Sequence, residues 1–290
     1  MTAIVTGSTQ LLGVIGCPIE HSLSPVMHNA AIATLSKDSL SHIYVPLHIE
    51  PEHLQSAIEG LAAVGYRGFN VTIPHKQAII PLLNEVSSVA QAVGAVNTVW
   101  RTEQGWSGTN TDIQGFLAPL LSQPRDWSAS TVTILGNGGA ARAVIAACSQ
   151  LNCSTVQIIG RSAERLERLK ADFSTLPIDI QVYSWERLPD LISSTALLVN
   201  TTPVGMYPDL DQSPVSPDIL ARLSKDAIVY DLIYTPNPTE LLKNAQAVGC
   251  QTIHGLEMLV QQGAAALEIW LNQPVPAEVM RTAAQAQLAQ

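Results

Sequence analysis

A chain of 290 residues with 47% apolar and only 13% charged side chains can build one large or two medium globular domains, and is too apolar for disorder. Its net charge of −9 lacks the basic footprint that nucleic-acid binding needs, and no apolar run reaches the length of a membrane span. No cationic region precedes the first apolar stretch, which argues against a secretory signal. Cys17, Cys148, Cys153 and Cys250 lack paired metal spacing and read as reduced thiols of a cytoplasmic protein.

Residues 11–16 form the first predicted strand. A helix begins near Pro25, with Ser24 as its N-cap and the proline in a favoured first position. Residues 42–49 are a second strand, and 51–64 a helix with Leu54, Ile58 and Leu61 on one face. In a third strand, 68–73, alternation puts Asn70 and Thr72 on the same side. Pro74 ends it, and Lys76 follows as the local cation. A helical stretch to about residue 83 and another over 86–93 lead to a hairpin, 95–101 and 106–109, turning at Glu103-Gln104-Gly105. A helix spans about 112–122, and the polar, proline-containing stretch 123–130 reads as a boundary.

Beyond it, strands at 131–135, 155–159, 179–183, 197–200, 227–232 and 251–253 alternate with helices, the pattern of parallel βαβ units. Residues 256–271 and the segment from Pro276 are helical and follow the last strand, so they are placed with the first domain. The expectation is an α/β protein of two domains separated by a cleft. Residues 1–112 with 256–290 form an α/β substrate domain with a mostly parallel sheet, and 113–255 a Rossmann domain.

Strand 131–135 runs into Gly136-Asn137-Gly138-Gly139-Ala140-Ala141-Arg142 and then an apolar helix. A strand, G-x-G-x-x-A and a helix make the dinucleotide fingerprint. The first glycine turns the chain, the second admits the pyrophosphate to the backbone, and the small third residue lets helix and strand pack. The next strand ends at Gly160-Arg161-Ser162, with no carboxylate for a ribose 2′-hydroxyl. Arg161, and Arg165 one helical turn on, suit a 2′-phosphate and therefore NADP (NADPH). Ser162 is placed to cap the helix and to donate to that phosphate.

Ser22 and Ser24, two apart in a loop, are placed to face one pocket. Asn70, Thr72 and Lys76 read as a site for a small hydroxylated ligand. Asn97-Thr98 and Asn110-Thr111-Asp112 add polar positions. Helix capping is the plain alternative for Ser24 and Asp112. No His/Cys/carboxylate cluster has metal spacing. The histidines read as structural or exposed, with His75, beside Lys76, the exception worth testing.

The motifs G-C-P-I-E-H-S-L-S-P, G-F-N-V-T-I-P-H-K, G-A-V-N-T-V, N-T-D, G-N-G-G-A-A-R, Y-D-L-I-Y and G-L-E-M-L-V-Q-Q, in order over about residues 11–271, closely resemble the shikimate dehydrogenase family. The resemblance implies reduction of 3-dehydroshikimate to shikimate with NADPH, in aromatic amino-acid biosynthesis. It implies a small-molecule substrate, no metal, no nucleic-acid or membrane partner, and a monomer or homodimer. Carried over residue by residue, Ser22 and Ser24 hold the substrate carboxylate with Tyr234 nearby. Thr72, Asn97, Asp112 and Gln262 bond the ring hydroxyls, with Asn70 close. Lys76 is the acid/base, and Asp112 orients it. Gly136, Asn137, Gly138, Gly139 and Ala140 cradle the pyrophosphate; Arg161 and Arg165, with Ser162, take the 2′-phosphate; Leu232 and Gly255 line the nicotinamide. One departure is Gly160, where the family often has Asn. Two other readings share these residues: a relative that also oxidises quinate, usually with NAD, which Arg161 argues against, and a non-catalytic NADPH-binding module, which the presence of Lys76 and Asp112 argues against.

Overall fold

Parallel pairing organises both sheets of the computed structural model, which describes residues 4–36 and 40–289. The chain divides into two compact units, residues 1–115 with 260–290, and residues 116–259. In chain order the elements are β1 (Gln10–Gly16), α1 (Ser24–Leu35), β2 (His42–His48), α2 (Leu54–Ala63), β3 (Tyr66–Val71), α3 (His75–Ala78), β4 (Glu85–Val86), α4 (Ser88–Val93), β5 (Thr98–Thr102), β6 (Gly105–Thr109) and α5 (Asp112–Leu121). Then come β7 (Thr131–Leu135), α6 (Gly139–Gln150), β8 (Thr155–Ile159), α7 (Ala163–Asp172), β9 (Asp179–Tyr183), α8 (Leu188–Leu191), β10 (Leu197–Asn200), α9 (Pro217–Leu220), β11 (Ile228–Asp231), α10 (Glu240–Ala247), β12 (Gln251–His254), α11 (Gly255–Leu271) and α12 (Ala277–Leu288).

The first unit holds a sheet of order β2-β1-β3-β5-β6-β4. β1 pairs in parallel with β2 and β3, and β4 with β6, while the hairpin β5–β6 enters antiparallel to β3. The last five residues of β1 are buried, as befits a strand with parallel neighbours on both sides. Ile15, Phe69, Val71 and Val99 of this sheet pack on Leu54, Ile58 and Leu61 of α2, the face read from the helical spacing. On α11, the indole N–H of Trp270 donates to the Val99 carbonyl at 2.9 Å. A side chain at residue 68 would run into that indole, so Gly68 is what lets α11 lie close to β3.

The second unit is a fully parallel sheet of order β12-β11-β10-β7-β8-β9, whose strand order reverses between β7 and β10 in the doubly wound manner. Leu135, Ile159, Leu198 and Val229 pack with Leu241, Leu242 and Ala245 of α10.

Local expectations change at several points. The strand expected over 68–73 is β3, Tyr66–Val71, so Thr72 lies just beyond it, and the hairpin strand expected over 95–101 is β5, Thr98–Thr102, so Asn97 lies just before it. The helix expected over 51–64 opens as a 3-10 turn, Pro51–His53, because the His53 N–H closes on the Glu50 carbonyl at 3.0 Å; α2 starts only at Leu54. Val86 lies in β4, paired beside β6, and α4 begins at Ser88, with the Ser87 hydroxyl accepting the Ala90 N–H at 3.2 Å. Ser24 does not cap α1. Leu23 occupies the cap position without a side-chain bond, and Ser24 is already helical, its carbonyl accepting His28 Nδ1–H at 2.8 Å.

His28 is fully buried, stacked on Tyr44 with ring centroids 4.0 Å apart. Burial pulls its pKa from 6.5 down to about 4. The unfolded chain therefore binds the extra proton between those two values, and stability falls as the pH drops through that window. Urea unfolding at pH 7 and pH 5 should show the native chain losing about 2 kcal/mol more than His28→Gln over that interval. Equal losses in both proteins would show that His28 is not the group responsible.

Candidate active site

β3 delivers Asn70 into the first unit's interior, and the chain then turns through Thr72 to Pro74 into the short helix α3 that carries Lys76. The Thr72 carbonyl accepts the His75 N–H at 2.9 Å, and the Lys76 carbonyl accepts the Val96 N–H at 2.8 Å. Backbone bonds thus tie the lysine to the segment just before β5. His75 is buried, its Nε2–H donating to the Ile49 carbonyl at 2.6 Å, and so acts as a structural tie.

Asn97 joins three elements. Its carbonyl accepts the Val71 N–H at 2.8 Å and Asn70 Nδ2 at 3.1 Å. Its Oδ1 accepts the Thr111 N–H at 2.8 Å, and its Nδ2 donates to Asp112 Oδ1 at 2.8 Å. Asp112 opens α5, and its N–H donates to Asn110 Oδ1 at 3.0 Å, so the backbone amide is satisfied by Asn110 and the Asp112 carboxylate is left for side-chain partners. Lys76 Nζ is that partner, 2.6 Å from Oδ2, with the lysine side chain 22% and the aspartate 8% exposed. Gln262 Oε1, on α11, lies 3.4 Å from Asn97 Nδ2.

The network continues outward. The Tyr44 hydroxyl donates to Asn70 Oδ1 at 2.7 Å. Burial raises the Tyr44 phenol well above its ordinary range, so it remains a neutral donor. Ser22 Oγ accepts the Ser24 N–H at 3.3 Å. One connected path therefore runs Tyr44–Asn70–Asn97–Asp112–Lys76, with Gln262 joining at Asn97. Thr72 stands beside this path half-buried, its methyl packed toward Gly16. Tyr44, Thr98 and Thr111 have no role assigned from the sequence; here Thr98 Oγ1 accepts from Asn70 Nδ2 at 3.2 Å and Thr111 Oγ1 from Asn97 Nδ2 at 3.0 Å. Thr98 and Thr111 sit in quoted motifs, but Tyr44 reads as an ordinary strand aromatic, and only its partners reveal its role.

In the second unit, Gly136 adopts φ +103°, and a side chain there would strike the Thr201 hydroxyl. A Cβ at Gly138 or Gly139 would meet nothing within 4 Å, so the backbone at the start of α6 is open to a ligand. Ala141 is completely buried, as close packing of helix on strand demands. Asn137 Nδ2 is shielded from solvent without a hydrogen-bond partner. Ser162 caps α7, its hydroxyl accepting the Arg165 N–H at 3.3 Å. Arg161 and Arg165 are exposed and pair with no carboxylate among the described residues, whereas Arg168 pairs with Glu164 at 3.1 Å. Gly160 has a packing reason: a Cβ there would come within 2.9 Å of Leu166 and 3.4 Å of Asn137 Nδ2. These residues suit NADP: donors and an open helix N-terminus for the pyrophosphate, two unpaired guanidinium groups for a 2′-phosphate. Gly255 allows the Leu232 carbonyl to approach, and Tyr234 is half-buried two residues further along that strand end.

Among the described residues Glu50, Glu52 and His53 cluster closely enough to hold an ion, but all three are exposed, and none belongs to the network above. No described helix is long and apolar enough to cross a membrane.

Residues 14–99 match the model of the shikimate dehydrogenase substrate binding domain, and residues 255–285 that of the shikimate 5′-dehydrogenase C-terminal domain. A shikimate dehydrogenase (NADP(+)) of Gloeothece citriformis is 57% identical, over 96% of both chains. The crystal structure of shikimate dehydrogenase from Aquifex aeolicus superposes with a TM-score of 0.87 at 37% identity, covering 97% of this chain and 99% of that one. Shikimate 5-dehydrogenase from Thermus thermophilus, in complex with NADP(H) and shikimate, gives 0.84 at 32% identity, over 96% and 99%. With likeness of this extent in both sequence and fold, the chain belongs to the shikimate dehydrogenase family.

Proposed function

We propose that Lys76 and Asp112 are the acid/base pair with which this NADP-dependent oxidoreductase interconverts 3-dehydroshikimate and shikimate. The observation that carries the reading is the 2.6 Å contact of Lys76 Nζ with Asp112 Oδ2, inside a hydrogen-bonded network of amides and hydroxyls. Residues 1–112 with 256–290 serve substrate binding and residues 113–255 serve NADP binding; the two compact units, dividing at 115/116 and 259/260, support this assignment. The reaction belongs to aromatic amino-acid biosynthesis. The chain works in the cytoplasm as a monomer or homodimer, a setting that suits its four free cysteines.

NADPH, when bound, supplies the hydride. As the ring ketone is reduced, negative charge grows on its oxygen. Lys76 offers both a positive charge and a proton there, stabilising that charge and completing the alcohol. In the oxidative direction the neutral amine takes the proton back. Asp112 accepts one N–H of the ammonium and so aims the others, while Asn97 holds the second carboxylate oxygen and stops the group from turning away. Ser22 and Ser24 hold the substrate carboxylate, with Tyr234 near it. Thr72, Asn97, Asp112 and Gln262 bond the ring hydroxyls, with Asn70 supporting them. Arg161, Arg165 and Ser162 select NADP through the 2′-phosphate; Gly136, Asn137, Gly138, Gly139 and Ala140 cradle the pyrophosphate; Gly160 leaves room at the adenosine end; Leu232 and Gly255 line the nicotinamide.

Replacing Lys76 with Ala should lower kcat by roughly 10²–10⁴-fold, the usual worth of a positioned proton donor, with NADPH affinity nearly unchanged. Wild-type kcat in that variant would refute the acid/base role. Replacing Arg161 and Arg165 together with Gln should weaken NADPH by about tenfold or more per lost contact while NADH changes little, measured by fluorescence titration. Equal losses for both cofactors would show that the pair does not read the phosphate.

A further inference from the structure

The register of β1 on β2 aligns Gly16 with His48, and so brings the residue after β1, Cys17, beside the last residue of β2. Cys17 Sγ lies 3.5 Å from His48 Nε2. Nδ1 of the same ring lies 3.4 Å from Glu20 Oε1. Glu20 Oε2 accepts the Ile19 N–H at 3.0 Å, and the backbone amides of Glu20 and Ile19 keep its carboxyl below the usual range. A carboxylate at Nδ1 holds the ring proton there and leaves the Nε2 lone pair facing the thiol. Thiol, imidazole and carboxylate thus stand in line, outside the Lys76 network. Cys148, Cys153 and Cys250 are buried, while Cys17 is only partly covered and His48 is 44% exposed. His48 also lines an open hollow of about 380 Å³, with Glu50 and His53 on its wall.

We propose that Cys17 is a modification site, a thiol activated by His48 and Glu20 that reacts with small uncharged hydroperoxides. The thiol proton passes to His48 Nε2, and the sulfur attacks the peroxide's terminal oxygen. The S–O bond forms as the O–O bond breaks. The departing oxygen takes the proton from His48 and leaves as water or an alcohol, with the sulfur oxidised by two electrons to a sulfenic acid and the peroxide reduced. Glu20 and Glu50 disfavour anionic reagents such as glutathione, which selects the neutral oxidant. The consequence reaches the substrate site, and this half rests on the roles given above to Ser22, Ser24 and Thr72. Cys17 opens the segment that carries both serines, and its N–H donates to the Ile73 carbonyl at 3.0 Å, one residue past Thr72. An added oxygen on Sγ crowds that corner and weakens binding of the substrate carboxylate.

The test is treatment with dilute hydrogen peroxide, trapping with dimedone and peptide mass spectrometry on the native chain and His48→Ala. Cys17 should label first, and about tenfold or more slowly in His48→Ala. A rate equal in the two proteins, or no faster than in urea-unfolded chain, overturns the proposal. Peroxide treatment should raise KM for shikimate several-fold, leave NADPH affinity alone and reverse with dithiothreitol, with Cys17→Ser unaffected. Full labelling without a change in KM overturns the coupling to substrate. Ser24→Ala, assayed alongside, reports separately on the substrate reading: wild-type KM there removes that reading while leaving the thiol chemistry to its own rate test.

Discussion

Asp112 is a carboxylate held almost out of water, and the first unit is arranged around the need to satisfy it. A buried charge without partners costs several kcal/mol, so both oxygens must be occupied. Lys76 meets one and Asn97 the other. Each partner in turn is fixed by elements distant in sequence. The lysine's helix is tied by its carbonyl to Val96, and Asn97 is clasped by Asn70 and Thr111. α11 brings Gln262 to the same asparagine, and Trp270 anchors that helix to the strand that follows Asn97. Under the proposed acid/base role, an ammonium placed this way spends little orientational freedom when substrate arrives, which is where positioned catalysis gains its advantage.

The second unit meets a different demand, an anion-ready backbone. Gly136 turns, Gly138 and Gly139 stay open, and Ala141 disappears into the helix–strand contact. The departure at Gly160 has a physical account here. The space a side chain would need is taken by Leu166, with the Asn137 amide just beyond it, and that amide carries an uncommitted donor. A second buried carboxylate, Asp231 at the end of β11, accepts from Asn200, the Ile233 N–H and Thr239. Burial raises its pKa while those donors oppose the rise. It pins both ends of the segment that holds Leu232 and Tyr234.

Much of this was legible in the residues because local chemistry and global fold agree. The alternation of strands and helices, the glycine turn after β7 and the arginines after β8 each announce themselves within a dozen residues. What escaped depends on convergence across the chain. Ser24 reads as a cap because a serine precedes a proline, but the helix starts one residue earlier, with Leu23 at the cap position. β4 is two residues long and exists only because β6 lies beside it. The ring of Tyr44 is core material, and only its hydroxyl links it to Asn70. Cys17 and His48 lie 31 residues apart and meet only through the parallel register of their strands.

Under the proposed mechanism Lys76 and Asp112 act as one unit on the reacting oxygen, and a double-mutant cycle on kcat, with Lys76→Met, Asp112→Asn and the pair together, probes that coupling. Strong non-additivity is expected, with the double variant no slower than Lys76→Met alone within about a factor of three, because the carboxylate has nothing left to orient. Losses that simply multiply would show that the two residues act independently and would refute the proposed pair.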